Sequence, residues 1–239
     1  MSASPGVARP RVLAIGGLDS AGLAGITLDA RVLAACGVHP MTVASTLTVQ
    51  TIDRFVASGP VDEEIFRLSL QTVLREHPPS AVKLGMLAKG PMIEEVAGFA
   101  RDRGRTPWIL DPILATSSKT RVLDVQAVQA LLRLLVPHVD VLTPNVPEAR
   151  LLTGRPIATD RDVREAAEAL VGLGARAVVI KGGHREGGAD DHVFDGRRHT
   201  VIAGERVDGP EVRGTGCIYA SALAAYLARG FELIDAARA

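Results

Sequence analysis

The chain is short of cysteine. Cys36 and Cys217 are its two thiols in 239 residues, too few for a disulfide framework and suited to a reducing cytosol. It has no net charge, with 27 Lys+Arg against 27 Asp+Glu, so no overall basic field is present to hold nucleic acid or an anionic membrane. No apolar run approaches the roughly 18 residues that a membrane span needs. The opening segment MSASPGVARP lacks the apolar stretch of a signal peptide and reads as a loose tail, 1–10. No Gly-Lys-Ser/Thr of a P-loop occurs, no convincing G-x-G-x-x-G, and no H-E-x-x-H among the histidines. These absences leave a cytoplasmic chain, poor in aromatics and rich in Gly and Ala, long enough to bury a sizeable core without staples.

What is present is rhythm. RVLAIGG (11–17), HPMTVASTLTV (39–49), AVKLGM (81–86), WILDP (108–112), VDVLTPN (139–145) and AVVIKGG (177–183) are short apolar runs, as expected of strands in a parallel sheet covered on both faces. Between them lie helical patterns at 21–37, 62–76, 91–104, 124–137 and 162–175. The segment 191–207 alternates around Asp195-Gly196 and predicts a β-hairpin. GTGCIYASALAAYLARG (214–230) reads as a glycine loop opening an Ala-rich helix, and FELIDAARA as the start of a short C-terminal helix. The expectation is an α/β fold: a doubly wound, mostly parallel sheet with helices on both faces and a small hairpin, forming one domain over 11–239.

In such folds ligands sit beyond the carboxyl ends of the strands. GGLDSAGLAG (16–25) lies there, either contacting a ligand or making a tight strand-to-helix turn. Gly214-Thr215-Gly216-Cys217 offers backbone amides at a helix start, where an anion can approach closely. Cys217 there is expected to have a thiol pKa lowered by the helix end, or else to be a small buried packing residue. Asp111, Asn145, Glu148 and Lys181 also fall at strand ends. Asn145 and Glu148 share one helical turn, placed to hold Mg²⁺ through water, with Glu148 equally readable as a plain N-terminal helix acid. Lys181 could reach a phosphate or pair at the surface. Lys83, inside an apolar strand, requires a partner, and a structural ion pair is the favoured reading.

Six segments, AIGGLDSAGLAGI (14–26), KLGML (83–87), DPILATS (111–117), LTPNVPEARLLTG (142–154), VIKGGH (179–184) and GTGC (214–217), together resemble the ribokinase-like kinases. Within these the chain is most similar to the hydroxymethylpyrimidine and hydroxymethylpyrimidine-phosphate kinases of thiamine biosynthesis. The resemblance implies transfer of the ATP γ-phosphoryl group to a hydroxymethyl group on a small heteroaromatic ring, then onto the resulting monophosphate. It implies an anion hole at Gly214, Thr215, Gly216 and Cys217, with Cys217 in the general-base position. Lys181 then neutralises phosphate charge, Asn145 and Glu148 organise Mg²⁺ with Asp111 nearby, and the partners are a small-molecule substrate and a second copy of the chain. The pyrimidine pocket implied by the same resemblance comprises Gly17, Ala24, Asp29, Thr48, Gln50 and Met86. Gln50 offers donors and an acceptor to a ring nitrogen and an exocyclic amine.

The sequence departs from that pattern in places. Leu23 and Leu28 put bulk near the expected pocket, Leu18 replaces a small polar residue, and Ser118 stands where glycine is usual. Arg213 precedes GTGC where these kinases commonly carry His, and either adds a phosphate contact or is solvated. The alternatives are a pyridoxal or pyridoxine kinase, which takes a similar ring, and a non-catalytic pyrimidine-binding protein on the same fold.

Overall fold

Val12, Leu13, Ala14 and Ile15 are all fully buried, because both faces of their strand are covered. Leu13 and Ile15 point into one apolar cluster, Val12 and Ala14 into another on the opposite face. This alternation organises the whole computed structural model, which describes residues 9–51, 54–114, 123–184, 188–207, 209 and 212–239. The chain runs β1 (Arg11–Asp19), α1 (Gly25–Ala35), β2 (His39–Gln50), β3 (Phe55–Pro60), α2 (Glu63–Glu76), β4 (Ala81–Leu84), α3 (Gly90–Arg101) and β5 (Trp108–Leu110). It continues as α4 (Val125–Ala130), β6 (Val141–Leu142), α5 (Val146–Thr153), α6 (Asp160–Gly172), β7 (Ala177–Ile180), β8 (Asp191–Phe194), β9 (His199–Ile202), α7 (Thr215–Ala228) and α8 (Leu233–Arg238).

Among the described residues these strands form one nine-stranded sheet in the order β3-β2-β1-β4-β5-β6-β7-β8-β9. Pairing is parallel from β2 to β7 and antiparallel for β3 and for the β8–β9 hairpin. Helices α2 to α6 bury their apolar stripes on one face, and α1, α7 and α8 on the other. The expected α/β architecture, doubly wound with a hairpin at one edge, is therefore present. Gly196 turns the hairpin at φ +87°, the conformation its Asp-Gly pair predicted.

The order reverses at β1: β2 lies on one side and β4 on the other. The loops leaving β1 and β4 run to opposite faces and open a crevice between them, the usual position of a ligand in open α/β sheets. Two departures from the sequence pattern have plain causes. Strand β3 shows no apolar alternation of its own, is mostly exposed, and exists because β2 offers it an edge. The helix expected over 124–137 is α-helical only through Ala130. A π-helical turn covers Leu131–Leu135 and a 3₁₀ turn Val136–His138, where Pro137 has no N–H to continue the ladder. Residues 1–8 of the expected tail, and 115–118 with Ser118, lie outside the described residues.

Candidate active site

The loop after β1 is shaped by Asp19, whose carboxylate accepts the backbone N–H of Ala21 at 2.8 Å and of Leu23 at 3.0 Å. This Asx-type turn brings the loop against the start of α7. Gly214, the residue before α7, has φ +85°, and a Cβ there would stand 2.2 Å from the Leu23 carbonyl oxygen. Only glycine satisfies both the left-handed backbone and the close approach. Two residues on, a Cβ at Gly216 would meet Lys181 Nζ at 3.2 Å and Asp111 Oδ2 at 3.5 Å. The missing side chain leaves the amide end of α7 open directly above a lysine–aspartate pair.

Lys181 donates to Asp111 Oδ1 at 2.8 Å. It follows β7, and Asp111 follows β5, so parallel strand ends deliver both. Burial works against the Lys181 charge, but the carboxylates of Asp111 and Glu148 outweigh it and keep the ammonium protonated. Glu148 lies at the start of α5 in a capping box: its Oε2 accepts from Asn145 N, while Asn145 Oδ1 accepts from Glu148 N, both at 2.8 Å. Burial, then repulsion from Asp111, lifts the Glu148 carboxyl to about 7 against the pull of Lys181. Two carboxylates that repel each other beside an open helix N-terminus make a place where a hard dication would relieve both. Among the described residues no group of three or more His, Cys, Asp or Glu is placed to hold a metal ion.

Beneath this lies a second, fully buried pair. On β4, Lys83 shares parity with Ala81 and so points toward the face covered by α1 and α7. There it donates to Asp29 Oδ2 at 2.8 Å, and the Ser221 hydroxyl donates to Asp29 Oδ1 at 2.9 Å. The structural ion pair expected of Lys83 is thus identified, its partner being a residue that the resemblance assigned to the substrate pocket. Burial opposes the Lys83 charge, yet Asp29, then Cys217 and Asp111, hold its pKa above the ordinary lysine value.

Cys217 overturns one expectation. Its thiol is not shifted down by the helix end but pushed up to about 11. Burial is the main cause; Asp29 and Asp111 add to it, while Lys83 and a backbone hydrogen bond from Gly25 pull against it. At neutral pH the sulfur is a protonated thiol.

One cavity of about 460 Å³ collects these groups. The candidate site residues all line it: Gly17, Ala24, Asp29, Thr48, Gln50, Met86, Asp111, Asn145, Glu148, Lys181, Gly214, Thr215, Gly216 and Cys217. Leu23 and Leu28 do not line it. The Leu28 methyl instead packs on Gly214, so its bulk is spent on seating the glycine loop, which the Leu23 backbone carbonyl also contacts. Arg213 does line it and is not simply solvated, donating to Gln50 Oε1 at 3.3 Å and to the Thr51 carbonyl at 2.9 Å. Sequence reading missed Phe55, the aromatic side chain in the lining, which arrives on the unanticipated β3. It also missed Asp19, for which a lone Asp before a glycine loop was the available signal.

The profile of the phosphomethylpyrimidine kinase family matches residues 19–239. The chain belongs to that family. A hydroxymethylpyrimidine/phosphomethylpyrimidine kinase of Aquifex aeolicus is 33% identical over 94% of this chain and 88% of its own length. The solved phosphomethylpyrimidine kinase of Clostridium difficile 630 superposes with TM-score 0.85 at 30% identity, covering 96% of this chain and 95% of that one. An ADP complex of Bacillus subtilis pyridoxal kinase superposes with TM-score 0.88 at 31% identity, over 96% and 88%. The protein is accordingly a kinase of ribokinase-like fold.

Proposed function

We propose that this kinase transfers the γ-phosphoryl group of ATP to the hydroxymethyl group of an aminopyrimidine, and then to the resulting monophosphate, in thiamine biosynthesis. The observation that carries the reading is convergence: the open amide end of α7, Lys181 and Gln50 share one cavity wall. Phosphoryl transfer asks a protein mainly for positioning and charge neutralisation, and these groups supply both. The amides at Gly214 to Cys217 stabilise charge on the transferring group, and Lys181 offsets phosphate charge. Gln50, Thr48 and Met86 place the ring so that its hydroxymethyl arm points at α7. With its pKa near 11, Cys217 contributes through its amide and its shape more than as a base.

Glu148 and Asp111 would hold Mg²⁺ largely through water and phosphate oxygens, because the described residues offer too few direct ligands for a closed cage. Bound there, Mg²⁺ supplies charge neutralisation across the phosphates. We take residues 11–239 as one folding unit, since one sheet runs through them. A homodimer in the cytoplasm is our assembly reading, supported by the exposed Leu47, Val49 and Val56 on the β2–β3 edge and tested by sedimentation.

Purified protein with ATP, Mg²⁺ and 4-amino-5-hydroxymethyl-2-methylpyrimidine should yield the mono- and then the diphosphate by mass spectrometry, and Lys181→Ala should lower kcat/KM about a hundredfold or more. No turnover of the alcohol or its monophosphate would sink the reading. The likeness to a pyridoxal kinase supports a second reading, in which pyridoxine outcompetes the pyrimidine in the same assay. A purely binding protein would hold the ring and show no affinity for ATP.

A further inference from the structure

Gln50 ends β2, and its backbone is held there: the Ser20 hydroxyl donates to the carbonyls of Thr48 at 3.1 Å and Gln50 at 3.3 Å. Its side chain is held from the opposite direction. Arg213 reaches across the cavity mouth from the residue before Gly214 and donates from one guanidinium nitrogen to Gln50 Oε1 and Thr51 O. A guanidinium has donors and no acceptor, so the amide has one permitted orientation. Flipped, it would aim its own N–H groups at the guanidinium. With the carbonyl oxygen turned to Arg213, the NH₂ is left for the cavity, and one of the two oxygen lone pairs remains for a second donor.

We propose that Arg213 is a positioning residue for substrate specificity: it locks the Gln50 amide so that the cavity reads a ring nitrogen beside an exocyclic amine. This deepens the pyrimidine kinase reading and rests on it. A ring acceptor takes the fixed N–H, and the adjacent amine donates to the remaining lone pair of Oε1. A ring that lacks the amine finds only half of this pattern and gains less from the lock.

A double-mutant cycle tests this. Arg213→Ala should raise KM for the aminopyrimidine about tenfold, as expected for loss of a charge-assisted hydrogen bond, with kcat and KM for ATP within about twofold of wild type. The same substitution in a Gln50→Ala background should add less than about twofold. The des-amino analogue, 5-hydroxymethyl-2-methylpyrimidine, should lose less than the amine-bearing ring. Arg213→Lys, which keeps one donor in place of the planar fork, should recover part of the loss and stands in if the alanine variant does not fold. Equal losses with and without Gln50, or a loss residing in kcat or in ATP affinity, would overturn the assignment. Wild-type turnover keeps the two levels apart: if pyridoxine alone is phosphorylated the pyrimidine reading falls, whereas pyrimidine turnover with an additive cycle removes only the role of Arg213.

Discussion

Lys83→Met keeps the length and apolar bulk of the side chain and removes the ammonium facing Asp29. Neither partner is exposed, and the pair joins β4, α1 and, through Ser221, α7. Taking one partner from a buried pair costs about 3–5 kcal/mol, because the other charge stays buried without compensation. At about 2–4 °C per kcal/mol for a chain of this size, the melting temperature should fall by roughly 6–20 °C, read by calorimetry at pH 7.5. The pH dependence sharpens the test. Burial already raises the Asp29 pKa against the pull of Lys83 and Ser221, and removing the cation raises it further. A carboxyl whose folded pKa exceeds its unfolded one, about 3.9, stabilises fully below that unfolded value and loses the contribution as pH rises through the folded value. The deficit of Lys83→Met should therefore be smallest near pH 4 and grow toward neutrality. Asp29→Asn added to Lys83→Met removes the stranded charge, keeps an acceptor for Ser221 and should restore most of the lost stability. A single-variant loss below about 1 kcal/mol, or a double variant no better than the single, would refute the reasoning.

Cys217→Ser should retain activity within about tenfold, whereas Gly214→Ala should lose far more, since it strains a left-handed residue and drives a methyl into the Leu23 carbonyl. Alkylation of Cys217 by iodoacetamide should be slow at pH 7.5 and climb toward pH 11; a plateau below pH 9 would contradict the buried thiol. Glu148, lifted to about 7, is largely protonated at pH 6 and ionised at pH 8, so the Mg²⁺ concentration giving half-maximal rate should fall across that interval. In Glu148→Gln that fall should vanish, and a profile matching wild type would separate Glu148 from the metal.

The layering was legible because both faces of the sheet are covered, which makes strands such as 12–15 continuous apolar runs. Asp111, Asn145, Glu148 and Lys181 were legible because they sit at or just after strand ends, where open α/β sheets bind ligands, whereas Asp29, Thr48, Gln50 and Met86 were reached only through the family resemblance. Strand β3 was not legible, since an exposed edge strand needs no pattern of its own, and Phe55 was lost with it. The thiol shift was misjudged for a related reason. Sequence places Cys217 at a helix start, but only packing reveals that Asp29, 188 positions earlier, lies buried nearby and reinforces desolvation. Arg213 showed only as an odd residue before GTGC; its partner Gln50 comes from the far side of the cavity.

The Ser221–Asp29 bond spans 192 positions in the chain. Strand β1 lies in the interior of the sheet, while α7, with its open amide end, is made long after it. On the proposed reading, a polypeptide interrupted anywhere before α7 would leave the ribosome with the ring-reading wall and without the amides that serve phosphoryl transfer. In this architecture enzymatic competence certifies that translation has passed α7.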